Sequence, residues 1–321
     1  MQQWQNGELY SFPIFVLPFN SKNTGMLRLL IIGANGVLGK VAANYFLQKG
    51  YKVKALVRDK GKAAELEKAG ATVVAGDLTE PATIKEVCNE TDVIITAAHG
   101  MIGKGKNSSQ RVDDAGHRNL IDIARKAGVK QFIYTSIHGA SVDHPVDFFR
   151  TKYRIEQYLQ QSGMNFTILH LPAFMEWHIH KLLGESILKK GKTVILGKGK
   201  NPANFIAVND IVQAMNEIIG NEKYYNRCVN IAGPENISRN QIAQLYGRHL
   251  GITPKVTHLP VAMLKVLSVV IKPFHPGIAR IMKLSAFNDK ADTTMNTNES
   301  ICQWGLKPIT PEEFISKMVG K

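Results

Sequence analysis

One short segment constrains this chain more than any other. Leu27–Ile32 is a nearly unbroken apolar run, as a strand buried on both faces of a parallel sheet must be. Gly33-Ala34-Asn35-Gly36-Val37-Leu38-Gly39 follows at once, and Val37–Gln48 then carries apolar residues at helical spacing before Gly50. Strand, glycine turn and helix in direct succession make a cradle for a diphosphate. Gly33 permits the tight turn, Gly36 removes a side chain that would block the phosphates, and Gly39 lets the helix approach the strand. The N–H groups at the helix start and the positive end of its dipole favour the anion. The whole loop, with Asn35, Val37 and Leu38, is therefore read as a dinucleotide-binding turn.

The pattern repeats downstream. Strands are expected at Lys52–Val57, Thr72–Ala75, Asp92–Ala97, Gln131–Thr135 and Asn165–Leu169. Helices are expected between them at Lys62–Ala69, Pro81–Cys88, Val112–Ala127 and Thr151–Gln161. Such alternation implies an α/β fold, a Rossmann doubly wound parallel sheet with helices on both faces. Residues 26–172 form the expected NAD(P)-binding core. Residues 173–321 form a smaller C-terminal substrate lobe with returning core elements, in which Lys181–Lys190, Asp210–Ile219, Ser238–Leu250 and Pro311–Val319 look helical and Thr193–Leu196 strand-like. Residues 1–25 are expected to be a flexible leader, lacking the basic start and small-residue cleavage site of a signal peptide.

The ends of the next strands speak to the cofactor. Arg58 stands where the second strand becomes loop, followed by Asp59, Lys60 and Lys62. An arginine there accommodates a 2′-phosphate, so NADP(H) is preferred over NAD(H), with Asp59 on the ribose as the alternative. Asp77 and Leu78 end the third strand, where Asp77 either accepts from the adenine amino group or caps the following helix. Ala97 and Ala98 end the fourth and are small enough for backbone to lie along the ribose. His99 follows them, as a site residue or as a loop histidine.

The net charge of +14 is spread along the chain and favours an anionic cofactor. Nucleic acid is not expected, because no recognition helix, finger or stacking-aromatic motif accompanies the charge. Cys88, Cys228 and Cys302 show no paired spacing, which points to a reducing, cytoplasmic setting. No apolar run reaches the roughly 20 residues of a membrane span. Pro260–Leu284 is apolar with Lys265, Lys272, Arg280 and Lys283. It reads as a membrane-surface helix, or as a lobe helix pair or partner surface; Pro273 and Pro276 break a single long amphipathic face, which favours the lobe.

Several segments together resemble the NmrA-like branch of the atypical short-chain dehydrogenases: Gly33–Gly39, Val57-Arg58-Asp59, Gly76-Asp77-Leu78, Lys152-x-x-x-Glu156-x-x-Leu159, Ser162–Met175 and Ile206–Ile211. The resemblance covers residues 27 to 250 and implies a nicotinamide cofactor. The wider family uses a serine, a tyrosine proton donor and a lysine four residues later that holds the nicotinamide ribose. The resemblance places Ser136 and Lys152 in the first and last of these roles. The tyrosine position is Phe148, which has no proton to give. His138 and His144, on the intervening loop, are possible substitutes, and His144 is taken as the better placed. Two functions follow: an NADP(H)-dependent oxidoreductase acting on a small carbonyl or quinone-like substrate, or a non-catalytic NADP(H)-binding regulator or assembly factor with a protein partner. Phe174 and Trp177, just past the sixth strand, are expected to line the substrate pocket. Glu176, His178 and His180 suggest a metal. Histidines two apart share a face only on a strand, and no second cluster completes the set, so no metal is expected. The oligomeric state is left open.

Overall fold

A computed structural model describes residues 27–299 and 305–320; the leader at 1–25 and Cys302 lie outside the described residues. Seven parallel strands form the central sheet: β1 (Arg28–Ile32), β2 (Lys52–Val57), β3 (Thr72–Ala75), β4 (Val93–Thr96), β5 (Gln131–Ile137), β6 (Phe166–Leu171) and, much later in the chain, β10 (Arg227–Asn230). Their spatial order is β10-β6-β5-β4-β1-β2-β3. The order reverses between β1 and β4, and open sheets bind ligands in the crevice beyond the carboxyl ends of such a pair.

Alternation along β1 assigns the two layers. Leu29 and Ile31 face α1 (Val37–Gln48), α2 (Ala64–Lys68) and α7 (Val208–Ile218). Leu30 and Ile32 face α3 (Pro81–Cys88), α4 (His117–Lys126) and α5 (Asp147–Gln160). All four side chains are completely or almost completely buried, so neither face of β1 tolerates a polar residue.

The lobe has its own small core. β7 (Ala173–Phe174), β9 (Pro202–Ile206) and β11 (Asn236–Ser238) form one short sheet; β8 (Lys192–Leu196) and β12 (Lys255–Leu259) form a parallel pair. Ile187 of α6 (Glu185–Lys190), Tyr246 of α8 (Arg239–Leu250) and Phe314 of α11 (Pro311–Val319) pack over them with Ile195 and Phe205. Both α8 and α11 open with a reciprocal cap, Ser238 with Gln241 and Thr310 with Glu313. Pro260–Leu284 divides at Pro273 and Pro276 into α9 (Val261–Ile271) and α10 (Pro276–Asn288), packed against each other.

Several boundaries differ from the sequence expectation for identifiable reasons. α5 begins at Asp147 rather than Thr151, after an extended Val146, and Asp147 puts an acidic side chain in the first turn where the positive end of the helix dipole favours it. The fourth helix opens as a π-helical segment, Gln110–Gly116, and so does the stretch Glu176–Gly184 before α6. β10 carries no apolar alternation. It is an edge strand, mostly exposed, that exists because β6 offers it an unpaired edge.

One buried side chain ties the sheet to the returning helix. Gln131 donates to Thr167 Oγ1 at 3.1 Å and to the Ile218 carbonyl at 3.2 Å, and accepts from the Gly220 N–H at 2.9 Å. Replacement by leucine would strand those groups without water. Gln131→Leu is expected to cost about 2 kcal/mol, read as a lower urea midpoint with unchanged slope.

Candidate functional site

The glycine turn is built by backbone touching backbone. Gly33 sits at φ +80°, and a Cβ there would lie 2.8 Å from the Ala98 nitrogen. A Cβ on Gly39 would lie 2.2 Å from the Gly33 carbonyl oxygen. Gly36 differs: only the Gly33 oxygen, at 3.2 Å, approaches its Cβ position, so its other side opens outward. Gly36 is also the residue before α1, and no side chain caps that helix. The N–H groups of Val37, Leu38 and Gly39 therefore face an anion site with no competing side-chain acceptor. A diphosphate fits this cradle by shape and by charge.

Asn35 fastens the turn to the loop after β2, its amide donating to the Asp59 carbonyl at 3.3 Å. Asp59 turns its carboxylate to the Gly61 N–H at 3.0 Å, capping a short helical turn. Arg58 stays exposed at the end of β2 and donates to Asn107 Oδ1 at 2.5 Å. The cation is thus presented at the crevice while the neighbouring carboxylate is occupied. Asp77 organises its own loop by accepting from the Thr79 N–H and hydroxyl, both at 2.9 Å. Leu78 is buried among α3 and α4 side chains. Ala97 and Ala98 are half-buried beside the glycine turn, Ala97 hydrogen-bonded to the Ile32 carbonyl at 2.8 Å.

The early start of α5 places Phe148 and Lys152 one helical turn apart on its buried face. Lys152 Nζ donates to the Thr135 carbonyl at 3.0 Å and lies 4.7 Å from the Tyr134 ring centre. Burial lowers its pKa, while Asp113 and Glu156 oppose that shift. Phe148 is buried, with its ring 5.7 Å from the ammonium.

The other proposed catalytic groups are otherwise engaged. Ser136 is buried and donates to the Glu156 carboxylate. The second Glu156 oxygen meets His170 Nε2 at 3.2 Å. Burial works against a charged His170, yet the Glu156 carboxylate prevails and raises its pKa. Ser136, His170 and Asn230 stand in register on β5, β6 and β10, forming a polar rung that the sequence spacing did not reveal. His144 accepts from the Val146 N–H at 3.1 Å, stacks on Phe149 at 3.9 Å and meets the edge of Phe287 at 4.7 Å. Its environment is packing before the start of α5. His138 is half-buried, and burial lowers its pKa with His170 adding to the effect.

His99 has the opposite disposition. Its surface is exposed beyond β4 although protein packs around its ring, which meets the Phe148 ring edge-on at 6.1 Å. Desolvation lowers its pKa; Asp113 opposes this and Lys152 adds to it. Asp113, fully buried, holds the same loop by accepting from the Gly100 N–H at 3.0 Å. Nothing in the local sequence marked Asp113, which sits inside an otherwise amphipathic helix.

In the lobe, Phe174 of β7 pairs with Ile206 of β9 and packs against the core shared by α1 and α7, while Trp177 is half-buried in the next turn. His178 lies near the Phe205 ring, and His180 Nδ1 is 3.3 Å from the Tyr246 hydroxyl. Among the described residues no three metal-ligating side chains come together. Glu176 accepts from the Val208 N–H at 2.9 Å, and its pKa is pushed up to about 7 by burial.

A model of the NmrA-like family matches residues 26–315. The Photosystem II assembly factor Ycf39 of Guillardia theta is 28% identical over 286 residues, 88% of this chain and 90% of that protein. An NAD(P)H azoreductase of Xenophilus azovorans is 30% identical over 216 residues, 67% of this chain and 71% of that one. An NADPH-dependent quinone oxidoreductase from Escherichia coli, solved with NADPH, shares the fold with a TM-score of 0.73 at 22% identity, covering 90% of this chain and 99% of its own.

If Arg58 meets a 2′-phosphate, Arg58→Ala should weaken NADPH binding by about 1.5–3 kcal/mol, the worth of a hydrogen bond to a charged group. NADH affinity should change little. Nucleotide fluorescence titration reads both, and equal losses would remove Arg58 from phosphate recognition.

Proposed function

This chain belongs to the NmrA-like family, and from that premise we propose that it binds NADP(H) and reduces a small, strongly electrophilic acceptor such as a quinone. The observation that carries the proposal is the uncapped Gly33–Gly39 cradle together with Lys152 held against Thr135 of β5, two strands along the same sheet from β1. Bound there, the nicotinamide supplies a hydride. Gly36 and the first turn of α1 would hold the diphosphate, Arg58 the 2′-phosphate, and Lys152 the ribose next to the reacting ring.

Phe148 selects the acceptor. Hydride addition to an unactivated ketone builds a basic alkoxide and calls for an acid at the moment of transfer. Phe148 cannot provide one and Ser136 is bonded to Glu156. A quinone yields a delocalised phenolate-type anion that can wait for its proton. The exposed His99 imidazole, against the Phe148 ring, is the group placed to deliver it. Apolar Phe148 meanwhile keeps water from Lys152. The azo and quinone reductases similar to this chain act on acceptors of this electrophilic kind.

A second reading rests on the same phenylalanine. With the tyrosine position inert, the cradle can bind NADP(H) without turnover, and a similar protein is named an assembly factor. NADPH oxidation with quinone, azo and aliphatic ketone substrates separates the two. Turnover of quinone but not ketone is expected; tight NADPH binding with no oxidation would establish the regulator instead. Lys152→Ala should weaken NADPH binding in either case.

The pH profile has a definite sign. Protonated His99 is the donor, and its pKa lies below the usual histidine value. The proton-dependent part of kcat/KM should fall as pH rises through a value below 6.5. His99→Gln should abolish that limb, and an unchanged profile would dismiss His99 as the donor.

A further inference from the structure

We propose that α9 is a docking ridge for an anionic lipid surface, a role independent of the nicotinamide site. The helix is apolar almost all round, yet only Leu264 is buried. A helix of that composition ordinarily belongs inside a protein. Val266 is 62% exposed, Val269 72%, Val270 58% and Phe274, just beyond the helix, 78%. On a helical wheel Val266, Val269 and Val270 lie away from Leu264, so the apolar arc points outward from the body. The result is a protruding ridge, suited to insertion among acyl chains near the headgroups. At 11 residues the helix is too short to span a bilayer.

Charge identifies the occupant. Residues 260–288 contain no aspartate or glutamate. Lys265 and Lys272 are exposed along one flank of α9, and Lys283 is exposed on α10. Arg280 does not belong to this set: its guanidinium pairs with both Asp147 oxygens, at 2.7 and 2.8 Å, and with the Met101 carbonyl. Those bonds, and the tight seat of Gly277 against the Ile102 carbonyl, moor α10 to the body and leave α9 outermost among the described residues. A second copy docked on this face would bring its lysines against these lysines. A lipid surface carrying negative headgroups satisfies the lysines and the ridge together.

The test is co-sedimentation of the full chain with vesicles of phosphatidylcholine, alone or with about 30% phosphatidylglycerol, the kind of anionic surface that attracts such lysines. Binding to the mixed vesicles, weak binding to the neutral ones and weakening by salt are expected. The Val269→Asp, Phe274→Asp double variant should lose about tenfold or more in partitioning. Lys265→Glu with Lys272→Glu should remove the preference for anionic lipid. All four side chains face solvent, so unchanged thermal melting shows that the variants remain folded. The proposal is overturned if the parent ignores the mixed vesicles or if the aspartate variant binds them as well as the parent does. It is also overturned if light scattering shows a dimer that the aspartate variant alone dissolves.

Discussion

The contact on which the rest depends is the meeting of three backbone segments without side chains between them. The turn after β1, the first turn of α1 and the end of β4 approach so closely that a methyl group on Gly33 or Gly39 would overlap neighbouring backbone. This approach fixes the pitch of α1 over the sheet and brings its free N–H groups to the crevice where strand order reverses. It also locates Ala98, and through it His99, beside the cofactor cradle. Without the contact, helix, strand ends and binding loop would no longer share one frame.

Around that frame the site separates binding from proton transfer. The groups proposed to bind a dinucleotide are the open glycine backbone, the exposed cation after β2 and the α5 lysine held against β5. The groups expected to move protons are mostly engaged with other side chains. Ser136 belongs to a rung with Glu156, His170 and Asn230, and His144 is stacked into the start of α5. A chain built this way suits an acceptor that tolerates delayed protonation, or a bound nucleotide that is held and sensed. The neighbouring His99, with Asp113 fastening its loop, is what inclines the geometry to the first.

The C-terminal helices connect this site to the surface. α10 rests on the loop after β4 and on the first residue of α5 through Arg280, while Phe287 touches His144. α9 rides on its outer side. The segment whose sequence combined apolar and basic residues is thus a moored helix pair, as the lobe reading expected, with an outer face left exposed among the described residues.

The sequence by itself determined the Rossmann sheet, the glycine cradle and the cationic end of β2. Each rests on local pattern: unbroken apolar strands, glycines where backbone must meet backbone, arginine next to a strand end. It also determined that Phe148 cannot donate a proton, which is a matter of side-chain chemistry. Only the tertiary structure decided that Ser136 and His144 are occupied and His99 exposed, because those outcomes depend on partners such as Glu156 and Phe287, 20 and 143 residues away. The edge strand β10 was equally illegible, since its four residues pair through an edge that β6 supplies rather than through any pattern of their own. Short-range periodicity records which elements form; which polar groups find each other is settled by packing between elements distant in the chain.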